Sequence, residues 1–120
     1  MNIEKYTNTD YIPNQNTRSE IESLNKQNQN LSNFQLPKAE LEKVYLVDAK
    51  MQNSNLSKAN LTNASLYGID LSGSNLFKAN FENANLNNAN LENCNLLGAN
   101  LSNAKLKNVS WGKDYKVINE

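Results

Sequence analysis

The sequence predicts an all-β solenoid, a coil whose backbone turns a corner every five residues, and three observations lead there. From Phe34 to Lys113 the chain divides into sixteen five-residue blocks without a slip of register. The third place of every block is apolar, running from Leu36 through Met51 and Phe81 to Trp111. The first place is usually small, as at Ala39, Ser54, Ala79 and Cys94, and the second is mostly Asn. A spacing of five suits neither common element: on an α-helix it scatters the leucines around the axis, and on a strand an odd step sends them to alternate faces. A chain that turns once per block and points each leucine into a shared interior satisfies the pattern.

Blocks such as Ala59-Asn60-Leu61-Thr62-Asn63 and Ala79-Asn80-Phe81-Glu82-Asn83 resemble the pentapeptide-repeat family, whose blocks read A(D/N)Lxx, and the resemblance covers all sixteen. It implies a right-handed quadrilateral β-helix with four blocks, hence twenty residues, per coil. The blocks would then make about four coils, a stack about 19 Å tall at the usual spacing of paired strands. Twenty-residue coils stack Leu36, Leu56, Leu76 and Leu96 in one interior column and Met51, Leu71, Leu91 and Trp111 in another. Phe34 and Trp111 are expected to close the two ends, Ile69 to swell its coil, and amides such as Asn60, Asn80 and Asn100 to bridge neighbouring coils as ladders.

Residues 1–33 carry no evident five-residue register and are expected to form a mostly irregular arm. Within it Thr17-Arg18-Ser19-Glu20 has the form of a capping box, and Ile21 and Leu24 follow at helical spacing, so a short helix near 17–28 is expected to fold over the first coil. An open β-helix needs such a cover because its end coil exposes unpaired backbone. Residues 114–120 form a short tail whose Tyr115, Val117 and Ile118 would pack under Trp111.

Catalysis finds little support. The chain has no histidine, removing the commonest general base and metal ligand, and its one thiol, Cys94, occupies an interior place. The four glycines fall at block corners and form no phosphate-binding loop, and Glu42 and Glu82 stand two coils apart. No enzyme activity, metal or cofactor is expected. The start of the chain lacks the apolar run of a signal peptide and nothing approaches a membrane span, so a cytoplasmic protein is expected.

Function is then sought on the outer faces. One face stacks Lys38, Lys58 and Lys78 in a column, and beside it Phe77 and Leu97 stand where the repeat normally puts polar residues. This is the main candidate for protein binding, with Tyr45, Val47 and Tyr67 on another face as the second. The expected role is a non-catalytic scaffold that docks on another protein or larger assembly. Two alternatives come from the resemblance: family members that imitate DNA and bind type II topoisomerases such as gyrase, and accessory subunits of photosynthetic or membrane-associated complexes, reached through a protein partner. The repeat block holds eight lysines against six acids and the whole chain twelve basic against twelve acidic residues, which suits neither a DNA mimic nor direct nucleic-acid binding. A homodimer joined end to end through Trp111 and the tail would lengthen the short rod.

Overall fold

Each block commits two of its five residues to a corner. The structure, a computed structural model, describes residues 3–112. The fourth and fifth residues of a block turn the chain, and the next first-place N–H closes the turn on the third-place carbonyl, as from Ala59 to Leu56 at 3.0 Å and from Ala84 to Phe81 at 2.9 Å. Such a turn needs positive φ at its second central residue. All sixteen fifth places from Asn33 to Asn108 have it, with φ between 55° and 74°. Twelve of those sixteen are Asn, Asp or Gly, the residues that enter this region at least cost.

One residue per side is left to pair. Parallel bridges join second places twenty residues apart, beginning with Gln35 to Asn55, Glu40 to Asn60, Tyr45 to Ser65 and Lys50 to Asp70, so each turn of the coil has four paired sides. These are isolated bridges, not extended strands. Three backbone bonds per block still tie successive coils together: Leu56 N–H to Asn75 O at 2.8 Å, Lys58 N–H to Phe77 O at 2.7 Å and Asn75 N–H to Ser54 O at 2.9 Å repeat around the molecule. The expected bridging survives at Asn60, whose Nδ2 donates to Glu40 Oε2 of the coil above at 3.3 Å, but the amide oxygens serve local turns instead of a ladder. Asn60 Oδ1 accepts the Thr62 N–H at 3.1 Å, Asn80 Oδ1 that of Glu82 at 3.0 Å and Asn100 Oδ1 that of Ser102 at 2.9 Å, so the asparagines hold the entry to each corner.

The coil begins one block before the expected boundary at Phe34. Leu31 is fully buried and donates to Lys50 O at 2.7 Å, while Asn33 donates to Gln52 O at 2.9 Å. Asn30-Leu31-Ser32-Asn33 already follows the repeat, and Gln29 in place of the usual small residue hides it. Ile69 does not spread its coil, since its N–H reaches Leu66 O at 3.0 Å and its carbonyl accepts Asn90 at 2.9 Å. Its column reads Ala49, Ile69, Ala89, Val109, so a large side chain lies between two methyl groups.

Another interior column is polar. Ser54 Oγ accepts the Phe34 N–H at 3.3 Å and donates to Leu31 O at 3.3 Å, and Ser74 Oγ accepts the Ser54 N–H at 3.0 Å and donates to Met51 O at 3.1 Å. A hydroxyl from the coil below thus completes a corner that elsewhere closes on itself. Cys94 continues the column with Sγ 3.0 Å from Leu71 O.

The arm is folded over the first coil. It carries two helices, α1 (Glu4–Thr7) and α2 (Thr17–Lys26), where one was expected. Buried Tyr6 stacks on Phe34 with centroids 4.9 Å apart, and Ile21 and Leu24 of α2 are fully buried, so Phe34 lies beneath a second layer. The capping box does not form: Asn16 stands at the N-cap without a side-chain bond, Thr17 Oγ1 accepts the Asn14 N–H at 2.8 Å, and the Glu20 carboxylate is taken by the Tyr6 hydroxyl and by Lys5 at 3.5 Å. Other arm groups meet the coil's open edge. Gln35 N–H donates to Tyr6 O at 2.6 Å, Tyr45 N–H to Glu22 Oε2 at 2.8 Å, Arg18 Nη1 to Glu42 O at 2.8 Å and Asn25 Nδ2 to Val47 O at 3.0 Å. At the other end Leu96, Leu101, Leu106, Val109 and Trp111 are partly buried against the core. The tail expected at 114–120 lies outside the described residues.

The serine column has a measurable consequence. Ser74→Ala keeps a small side chain but strands the Ser54 N–H and the Met51 carbonyl in the interior, so it is expected to cost about 1–3 kcal/mol in urea unfolding. A loss below about 0.5 kcal/mol would show that these bonds contribute nothing beyond volume.

Candidate docking face

The side of the coil that begins with the Phe34 block collects the main candidates. Alternation turns Leu76 and Leu96 into the core and the residues after them outward. Asn75 and Asn95 then fix the outward pair, their Oδ1 atoms each 3.1 Å from the N–H of Phe77 and Leu97. Phe77 is half-buried, whereas Leu97 is 68% exposed. Above them in the same column stand Ser57 and Pro37.

Lys38, Lys58 and Lys78 form the neighbouring corner column, all exposed, with φ of 59°, 59° and 55°. Among the described residues none of the three has a carboxylate within ion-pair distance. The Lys78 ammonium lies 5.2 Å from the centroid of the Phe77 ring. Gly98 ends the column, and a Cβ there would come 2.9 Å from Lys78 Cγ, so glycine leaves room for the lysine stem to lie against the backbone.

The structure adds a residue that the repeat pattern missed. Tyr11, Ile12 and Pro13 of the arm meet Pro37 and Lys38 at the top of this side, around an open groove of about 400 Å³. Ile12 is 78% exposed and adds an apolar group at the arm end of this side, separated from Phe77 by Ser57. Its apolar character in a polar arm is a signal, but its position depends on the Tyr11 hydroxyl, 2.7 Å from Thr17 Oγ1.

The second candidate is less coherent. Tyr45 and Tyr67 are 53% and 42% exposed, and Val47 is half-buried. Helix α2 takes the Tyr45 N–H and the Val47 carbonyl but leaves the Tyr45 ring exposed, and the Tyr67 hydroxyl is held by Asn88 Nδ2 at 2.6 Å. The arm thus covers the edge of this face and not its surface.

Cys94 is enclosed. Burial pushes its thiol up to about 11, with the nearby Asp70 charge adding to the shift and backbone hydrogen bonds from Ser74 and Gly73 opposing it. Among the described residues no group of three or more His, Cys, Asp or Glu could hold a metal ion, and no helix is long and apolar enough to cross a membrane.

The corner geometry and the enclosed thiol can each be tested. Lys58→Asn is expected to raise stability by roughly 0.5–1 kcal/mol in urea unfolding, because asparagine tolerates the left-handed corner better and one like charge leaves the column. Cys94 should resist iodoacetamide at pH 8 in the folded chain and react at the rate of an unfolded peptide once urea exceeds the transition. Because its folded pKa lies above the unfolded one, stability is intact below about pH 9 and falls as pH rises from there toward 11. Rapid labelling in the absence of urea would contradict the enclosed site.

A family model described as pentapeptide repeats matches residues 39–76 and 74–110. Among solved structures, the pentapeptide repeat protein Rfr23 of the cyanobacterium Cyanothece is 42% identical over 72% of this chain and 58% of its own, with a TM-score of 0.70. HetL of the cyanobacterium Nostoc, a pentapeptide repeat protein involved in heterocyst differentiation regulation, is 33% identical over 68% of this chain and 40% of its own, with a TM-score of 0.39. A further Nostoc pentapeptide repeat protein is 26% identical over 90% of this chain and 93% of its own, with a TM-score of 0.44. No curated protein matches the chain significantly. The matched part therefore spans less than two thirds of the Cyanothece and HetL chains. The family match and the Cyanothece structure imply a right-handed β-helix, in accord with the parallel bridges at twenty-residue spacing. By its repeats and by its similarity to Rfr23, the chain belongs to the pentapeptide repeat family.

Proposed function

We propose that the chain is a non-catalytic docking module that binds a larger assembly through the side bearing Phe77 and Leu97. Members of the family generally serve as structural and interaction modules, which supports the class of function but names no partner. The observation that carries the proposal is Leu97. A large aliphatic side chain, 68% exposed, lies directly below Phe77 in a column that offers serine and proline in the coils above, and Ile12 adds a further exposed apolar group at the arm end of the same side, beside Pro37. Apolar groups gathered along one side, flanked by charge, have the layout of an interface core with a polar rim.

DNA mimicry fits this surface less well, because the most exposed large apolar residue of the coil, Leu97, stands beside a basic column rather than an acidic one.

The experiment is affinity capture from an extract of the source cells, comparing the wild-type chain with a Phe77→Asp, Leu97→Asp variant of matched urea midpoint. The variant is expected to lose the assembly that the wild type retains. Topoisomerase subunits retained by both chains would overturn the docking face and move DNA mimicry to the front.

A further inference from the structure

We infer that the surface docking on this side is an acidic protein surface, which lays carboxylates along Lys38, Lys58 and Lys78 and seats an apolar side chain over Phe77 and Leu97. The inference rests on the docking proposal above and adds the chemistry of the partner. Its basis is the lysine column. A lysine in the left-handed region is unfavourable relative to Asn or Gly, and three like charges on successive coils repel one another. The fold has a ready alternative, since Asn63, Asn83 and Asn103 stack in a corner column topped by Lys43 alone. None of the three lysines finds a carboxylate among the described residues, and Lys78 rests on the Phe77 ring instead. Cationic groups that cost stability and stay without a carboxylate beside half-buried Phe77 and exposed Leu97 are complementary to carboxylates on a partner.

The width of the column selects protein over other polyanions. The three lysines occupy one corner, and the next side of the coil carries Glu40, Glu42 and Glu82 against Lys43 alone, with Glu40 lining a depression beside Lys38. A nucleic acid or an anionic bilayer broad enough to reach all three lysines would also meet those acids, whereas a protein can place its carboxylates over the lysines and a hydrophobic group beside them.

The test uses full-length chain and the same extract, with a Lys58→Gln, Lys78→Gln variant added and a carbodiimide, which joins amines to carboxylates only in contact. The lysine variant is expected to capture about tenfold less of the assembly, as is the wild type at about 0.5 M salt. Isopeptide links are expected from Lys58 or Lys78 of the wild type to Asp or Glu of the captured protein. If the lysine variant captures as well as wild type while the Phe77→Asp, Leu97→Asp variant does not, the docking face stands and the acidic partner is refuted. If both variants capture like wild type, or the wild type captures nothing, the docking proposal itself falls, and this inference with it. Capture abolished by nuclease, or reproduced by anionic vesicles alone, assigns the column to nucleic acid or lipid and overturns the inference.

Discussion

The left-handed corner residue is the constraint from which the rest of the molecule follows. With φ near 60° at every fifth place the backbone changes direction once per block, and only then do residues twenty apart come into parallel register. Each side is too short to form a strand, so a single bridge and three inter-coil bonds per block replace an extended ladder. Stability is therefore distributed along the stack and couples each coil chiefly to its neighbours, as in other solenoids. The same corner sets the composition: asparagine at the second place anchors the turn through its side-chain oxygen, and asparagine or glycine at the fifth accepts the positive φ.

A stack held by bonds between coils has open ends, and the N-terminal arm answers one of them. Its groups occupy positions that a preceding coil would have filled. Tyr6 O accepts from Gln35, the Glu22 carboxylate from Tyr45, and Arg18 and Asn25 donate to the carbonyls of Glu42 and Val47. Three of these four groups are side chains that substitute for a backbone edge, because the arm is helical where the coil is not. Burial of Tyr6 and its hydrogen bond to Glu20, both of which hold the phenol in its neutral form, tie the two helices together above Phe34.

Columns also explain why the outer surface can work as an interface. A rigid coil repeats side-chain positions at fixed intervals, so a chemical choice at one place is presented in line with its equivalents one coil away. Lys38, Lys58 and Lys78 make a straight charged edge, and Phe77 and Leu97 a short apolar ridge beside it. Little rearrangement is required of such a face on binding, which limits the entropic cost of association. The interior contrasts with this surface: its one thiol is enclosed and its two buried serines are consumed in backbone repair.

Much of the fold is legible in the sequence because five-residue periodicity admits few solutions. The inward leucines, the twenty-residue columns and the outward placement of Phe77, Leu97 and the lysines all follow from counting. The counting failed where local signals were weak or shared. Gln29 masked the block that begins the coil, and Thr17 and Glu20 looked like a capping box but bond to Asn14 and Tyr6. Asparagine stacking resembled a ladder, although each amide oxygen turns to the backbone two residues on. The role of Ser54 and Ser74 as bridges between open corners, the tolerance of Ile69 between alanines, and the arrival of Ile12 beside Pro37 required the tertiary structure. Sequence alone determined the repeat, its interior and its outward columns, because periodicity is a property of chain order. Only the folded molecule decided how the arm closes the coil and which polar groups find one another, because those contacts join residues with no common period.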